Sequence, residues 1–207
     1  DDELGCDVNT SDIVGIDGKG IVFGLRLFGV PKAERVAGID LFYAILEHCA
    51  QTGRRPFVLG AKQDNLELAL AKAQQMYPGL EFAGSRNGYF SGEDHGAIVE
   101  TIARSGADCL FVAMPTPHKE RFLNANAADL GVPFIMGVGG SVDVLAGQIS
   151  RAPGWMQDAG LEWFHRMIKE PRKMVGRYAR TNSLYGLMLA RSLVSGRSPV
   201  QLNDHAG

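Results

Sequence analysis

The stretch "PFVLGAKQDNLELALAKAQQMY", residues 56–77, decides the fold. Its first six residues are apolar without alternation, the pattern of a strand covered on both faces. Leu66, Leu70, Ala73 and Met76 then recur on one helical face behind Asp64, an expected helix cap. A doubly covered strand followed by a helix is half of a parallel β-α-β unit.

Working outward, the unit repeats. "LEFAG" (80–84) precedes "DHGAIVETIARSG" (94–106), whose Ile98, Ile102 and Ala103 are expected to face inward. "ADCLFVAM" (107–114) leads into "PHKERFLNANAADLG" (117–131), and "VPFIMGVG" (132–139) into "GSVDVLAG" (140–147). The expectation is an α/β fold, a Rossmann-like parallel sheet with helices on both faces. Upstream, "GKGIVFGLRLFG" (18–29) and "GIDLFYAILEHCAQTG" (38–53) read as helices, the second with Leu41, Ile45 and His48 at helical spacing. Only "DIVGI" (12–16) is available as a strand before them. The chain starts without methionine, so part of the natural N-terminus is expected to lie upstream.

"RAPGWMQDAG" (151–160) reads as a loop from its Pro and Gly content. Beyond it, "LEWFHRMIKE" is interrupted by Pro171, and "NSLYGLMLARSLVSG" (182–196) is an apolar-rich helix among arginines. Residues 164–207 carry eight basic side chains against two acidic, and the rest of the chain 13 against 21. The expected organisation is a catalytic α/β domain over 1–160 and a C-terminal basic, amphipathic helical appendage over 161–207. That appendage is either an ordinary docked helix or a surface for anionic lipid or phosphate. Nucleic-acid binding is not expected, because the tail holds no recognised motif and the body is acidic.

Cys6, Cys49 and Cys109 are odd in number and widely spaced, which predicts a reducing compartment and no structural metal. No run approaches the roughly 20 apolar residues that cross a bilayer, and "DDELGCDVNT" is not a signal peptide.

Glycines gather at the carboxyl ends of the expected strands: Gly60, then Gly84 and Gly88, then Gly137, Gly139 and Gly140. Open parallel sheets bind ligands beyond those ends. Tight strand-to-helix turns explain any one of these glycines equally well. Asp143, after "GVGG", is either a first-turn acid or an acceptor for ribose hydroxyls. Tyr89 and Phe90 in "NGYFSGED" either wall a ligand or pack a loop. In "PTPHKERF", His118 and Lys119 open a helix just past a strand, where a lysine can meet a phosphate. No GxSxG-type motif accompanies them, so nucleophilic catalysis finds little support. Arg35, in "PKAERVAG", either pairs with an acid or faces an anion. Asp17, in "GIDGKGIVFG" (15–24), is a helix cap or a catalytic base.

The order "DGKGIV", "ERVAGIDL", "YPGLEFAG…NGYF", "SGADCLFVAMPTPHKE", "GVGGSVDVLAG", "RAPGWMQDAGLEWFHRMIKEPRKMVGRY" resembles the WecG/TagA/CpsF glycosyltransferases, glycosyltransferase family 26, from about residue 13 to about residue 180. The resemblance implies a metal-independent, inverting transfer from a UDP-sugar to a polyprenyl-diphosphate-linked saccharide. It places that reaction at the cytoplasmic face of the inner membrane, with the protein peripheral to the membrane surface and no cofactor. It makes Asp17 the catalytic base and Arg35 the group that stabilises the departing diphosphate. Gly60, Gly88, Tyr89, Phe90, Gly137, Gly139, Gly140 and Asp143 fall on the nucleotide side, and Arg166, Arg172 and Arg177 are expected phosphate contacts from the appendage. Lys119 stands where many members have glutamine, in "PHKE" for "PKQE", and adds positive charge near the diphosphate. The family's N-terminal strand has no counterpart in the 207 residues. The alternative is a non-catalytic nucleotide-sugar-binding module of a polysaccharide assembly complex.

Overall fold

The structure is a computed structural model that describes residues 11–169 and 171–195, apart from the side chains of Lys173 and Arg177. Its contacts divide the chain into two compact units. One takes Ala37–Ser150 with the stretch up to Gly15, and the other takes Ile16–Val36 with the chain from Arg151 onward.

The first unit is the α/β body. Four strands, β1 (Pro56–Gly60), β2 (Gly84–Arg86), β3 (Cys109–Ala113) and β4 (Ile135–Gly137), form one parallel sheet in the order β2-β1-β3-β4. Every residue of β1 and β3 is buried, as their unbroken apolar runs predict. Because side chains alternate across a strand, Val58 and Phe111 enter one core while Phe57, Leu59, Leu110 and Val112 enter the other. The first core is closed by α2 (Gly38–Thr52), α3 (Gln63–Met76) and α6 (Ser141–Leu145). The second is closed by α4 (His95–Arg104) and α5 (His118–Asn126). Helices therefore cover both faces.

Several local expectations shift. Asp64 lies within the first turn of α3, whose N-cap is Lys62. The buried stripe of α3 is Leu66, Ala69 and Ala73, with Met76 53 % exposed. In α2 the buried stripe is Phe42, Leu46 and Cys49, one residue on from Leu41, Ile45 and His48. Ala103 is exposed, so α4 buries only Ile98 and Ile102. "LEFAG" is irregular until Gly84, where β2 begins. Cys49 and Cys109, buried and free, sit 3.8 Å apart between α2 and β3; the hydrogen bond between them, and then burial, raise the Cys109 thiol well above its ordinary range. Cys6 lies outside the described residues.

The second unit is helical among its described residues. Residues 16–36 hold α1 (Lys19–Leu27) and a returning loop, pinned by Arg26, which donates to the Ala33 carbonyl at 2.9 and 3.1 Å, and by Val36 N–H to Ile16 O at 2.9 Å. "DIVGI" forms no strand. "RAPGWMQDAG" is not all loop, because Gly154–Ala159 closes a short helix, α7, ended by Gly160 in the left-handed conformation at φ 76°. Pro171 opens a new helix: α8 is Glu162–Lys169 and α9 is Pro171–Ser195. Among the described residues no helix is long and apolar enough to cross a membrane.

Candidate functional site

In the α/β unit the chain leaves β1 toward β2 on one side and returns to β3 on the other. That reversal puts a crevice beyond the carboxyl ends of β1 and β3, where open sheets bind ligands. Close backbone approach builds it. A Cβ on Gly60, at φ 125°, would stand 2.4 Å from the Ala113 carbonyl oxygen, so only glycine fits. Ala61 follows at φ 61°, and its carbonyl accepts the Gly88 N–H at 3.0 Å. A Cβ on Gly88 would fall 2.9 Å from the Gly60 Cα. These glycines lock three strand ends together.

Around that edge the structure gathers polar groups, some of which sequence reasoning passed over. Asp143, in the first turn of α6, accepts from Asn65 Nδ2 at 2.6 Å, which ties α6 to the first turn of α3. Asn87 donates to Gln63 at 3.3 Å and accepts the Tyr89 N–H at 3.1 Å, and Tyr89 is 70 % exposed at the rim. Phe90 instead packs against His95 and Phe122, with centroids 5.5 and 5.8 Å away, which gives it a core role. Gly137 has the Lys119 side chain laid across it, so that a Cβ there would be 2.7 Å from Lys119 Cδ. Gly139 is left-handed at φ 50° and Gly140 caps α6.

Lys119 is held by Glu120, whose Oε1 takes the ammonium and the Thr116 hydroxyl, each at 3.0 Å. The other oxygen, Oε2, is buried without a hydrogen-bond partner among the described residues. Burial pushes the Glu120 carboxyl up, but its own backbone N–H, the Lys119 ammonium and the Thr116 hydroxyl together hold it below its ordinary value. His118 is the first residue of α5. Arg86, at the end of β2, likewise has a buried Nε without a partner among the described residues.

The second unit carries a separate charged chain of residues. Arg35 donates through Nε to the Asp17 backbone carbonyl at 2.5 Å and through Nη2 to Asp17 Oδ1 at 3.2 Å. The same Nη2 pairs with Glu162, the first residue of α8, and Arg151 lies 3.6 Å from the other Glu162 oxygen. The Asp17 side chain is 66 % exposed, while those of Arg35 and Glu162 are 20 and 24 % exposed. An exposed carboxylate is thus fixed in place by an inner guanidinium. Asp17 does not cap α1; the N-cap is Gly18, and no side chain caps it. Arg166 and Arg172 are exposed, and the Arg177 side chain lies outside the described residues. Among the described residues no group of three or more His, Cys, Asp or Glu side chains is placed to hold a metal ion.

The sequence pattern described as the glycosyl transferase WecG/TagA/CpsF family matches residues 1–199. The chain belongs to the WecG/TagA/CpsF family. Among curated proteins it is similar to an N-acetylglucosaminyldiphosphoundecaprenol N-acetyl-beta-D-mannosaminyltransferase of Bacillus subtilis (strain 168). Identity is 35 % over 164 residues, 79 % of this chain and 63 % of that protein. The protein of the same name from Bacillus spizizenii (strain ATCC 23059 / NRRL B-14472 / W23) is 32 % identical over 166 residues, 80 % of this chain and 64 % of that one. The chain therefore spans a little under two thirds of the length of these WecG/TagA/CpsF relatives.

Proposed function

We propose that the chain transfers a sugar from a UDP-sugar to a saccharide linked to a polyprenyl diphosphate, with inversion and without a metal ion. The observation that carries this reading is the Asp17–Arg35 pair, an exposed carboxylate oriented by a half-buried guanidinium in a chain of this family. The relatives' names supply the rest of the chemistry: an acceptor on diphosphoundecaprenol and a β-linked N-acetylmannosaminyl product. A β product from an α-linked nucleotide sugar requires inversion, hence one displacement and one base.

In that step the acceptor hydroxyl oxygen bonds to the anomeric carbon, and its proton passes to Asp17. The bond from the anomeric carbon to the UDP oxygen breaks, and its electron pair leaves on the diphosphate. Arg35 holds Asp17 and offers positive charge to the phosphates. On the α/β unit, Gly60, Gly88, Gly137, Gly139 and Gly140 leave room for backbone approach to the nucleotide, Tyr89 stands at the rim, and the Asn65–Asp143 pair reads hydroxyls. Lys119, braced by Glu120, meets the diphosphate. Arg166, Arg172 and Arg177 are added phosphate contacts, and the basic C-terminal segment rests on the anionic cytoplasmic membrane surface.

Calorimetric titration of wild type and Asp17→Asn with UDP and UDP-N-acetylmannosamine, with EDTA present, tests the assignment. UDP should bind both proteins with similar affinity. Lost UDP binding together with a lowered melting temperature in Asp17→Asn would make Asp17 a structural residue.

A further inference from the structure

Ile21, Gly24 and Leu25 of α1 and Phe28 at its C-cap stand at i, i+3, i+4 and i+7 and share one face. Tyr185, Met188 and Leu189 of α9 repeat the same spacing opposite them, and the two faces line a groove of about 140 Å³. Gly24 permits the approach, because a Cβ there would stand 3.2 Å from Leu189 Cδ2 and deep within contact of the Tyr185 hydroxyl. That hydroxyl donates to the Gly20 carbonyl at 3.1 Å, so the groove wall is left hydrocarbon. Ile21 and Met188 are 48 and 44 % exposed, which opens the groove to an entering chain.

We propose that this groove seats the first isoprenoid unit of the polyprenyl diphosphate acceptor, an inference that rests on the acceptor reading above. Size fits: an apolar cavity of about 150 Å³ holds one benzene, and an isoprene unit has five carbons. Position fits as well. Asp17 precedes α1 through the extended Gly18, a step of up to about 7 Å, and from Lys19 the residues Ile21 to Leu25 lie about 3 to 9 Å along the axis. An acceptor with its hydroxyl at Asp17 runs through a sugar ring and two phosphates, a comparable span, before its first hydrocarbon. Charge follows the same order. Lys19 follows Asp17 by two residues, its ammonium donating to the Asp158 carbonyl, and the first turn of α1 holds no acidic residue, so in sequence order a cation precedes the apolar wall.

Calorimetric titration with inorganic pyrophosphate and with farnesyl diphosphate, below its micelle concentration, tests the site in wild type, Ile21→Gln and Met188→Gln. Both residues are half-exposed, and thermal melts confirm that the variants are folded. Wild type should bind farnesyl diphosphate at least about tenfold tighter than pyrophosphate, as burial of a few methylenes gives. Each variant should lose most of that gain while keeping its pyrophosphate affinity. Equal affinity for the two ligands in wild type, or a gain that neither variant reduces, overturns the proposal. UDP release separates this site from the catalytic reading. A groove that binds farnesyl diphosphate in a protein without turnover leaves the groove and removes the reaction. Turnover whose KM is indifferent to acceptor lipid length and to both variants does the reverse.

Discussion

At Asp17, the proposed base, position is specified by partners and not by burial. Its carboxylate is exposed, and what fixes it is Arg35, which grips both the Asp17 carbonyl and its side chain while Glu162 holds the guanidinium from behind. Removing only the charge should therefore separate chemistry from structure. In Asp17→Asn, turnover is expected to fall by about 10²–10⁴-fold, the range of a lost general base, with a melting temperature near that of wild type; steady-state UDP release and a thermal melt check both. Glu120 makes a prediction of another kind. Its carboxyl is held below the ordinary value of 4.5. A group depressed on folding stabilises the fold above its unfolded pKa, and that contribution is lost as pH falls through the lower, folded value. Denaturant melts from pH 6 down to about pH 3 should show wild type losing more stability than Glu120→Gln on the acid side.

At the scale of elements, the strands set the tolerance of the body to change. Phe111 is fully buried in the middle of β3, with its ring 4.8 Å from that of Phe42 in an edge-on contact. Phe111→Ala should cost about 3–5 kcal/mol, read from chemical denaturation. Gly60→Ala should disorder the crevice itself, since the added methyl meets the Ala113 carbonyl, and UDP affinity should fall with stability. Strands β1 and β3 were legible because doubly buried parallel strands write themselves as unbroken apolar runs, as in 56–60 and 109–113. Helix faces were less so. Phe42, Leu46 and Cys49 lie one residue from Leu41, Ile45 and His48, and in a helix where both sets are apolar or amphipathic, only the packing partner chooses between them. Asn65, Glu162 and Arg151 could not be singled out from spacing, because their meaning comes from partners up to 127 residues away, as in the pair of Arg35 with Glu162, whereas Glu120 adjoins its partner Lys119. The "PHKE" and "GLEW" phrases held two of them, and the signal was an acid adjoining a singled-out residue or opening a helix.

For the whole molecule, the proposed reading assigns groups to each of the two compact units. The α/β unit carries the glycine-lined strand ends, and the helical unit joins residues 16–36 to the chain from Arg151 onward, bringing Asp17, Arg35 and Glu162 into one charged network. In the proposed reading, a single displacement draws on residues from both ends of the sequence. The most direct test is acceptor-dependent release of UDP. Wild type and Asp17→Asn are incubated in EDTA with UDP-N-acetylmannosamine and an N-acetylglucosaminyl diphosphate carrying an isoprenoid chain. The account predicts UDP release by wild type only when acceptor is present, at least about 10²-fold slower in the variant. UDP release independent of acceptor, equal rates in the two proteins, or tight UDP binding with no transfer would contradict it.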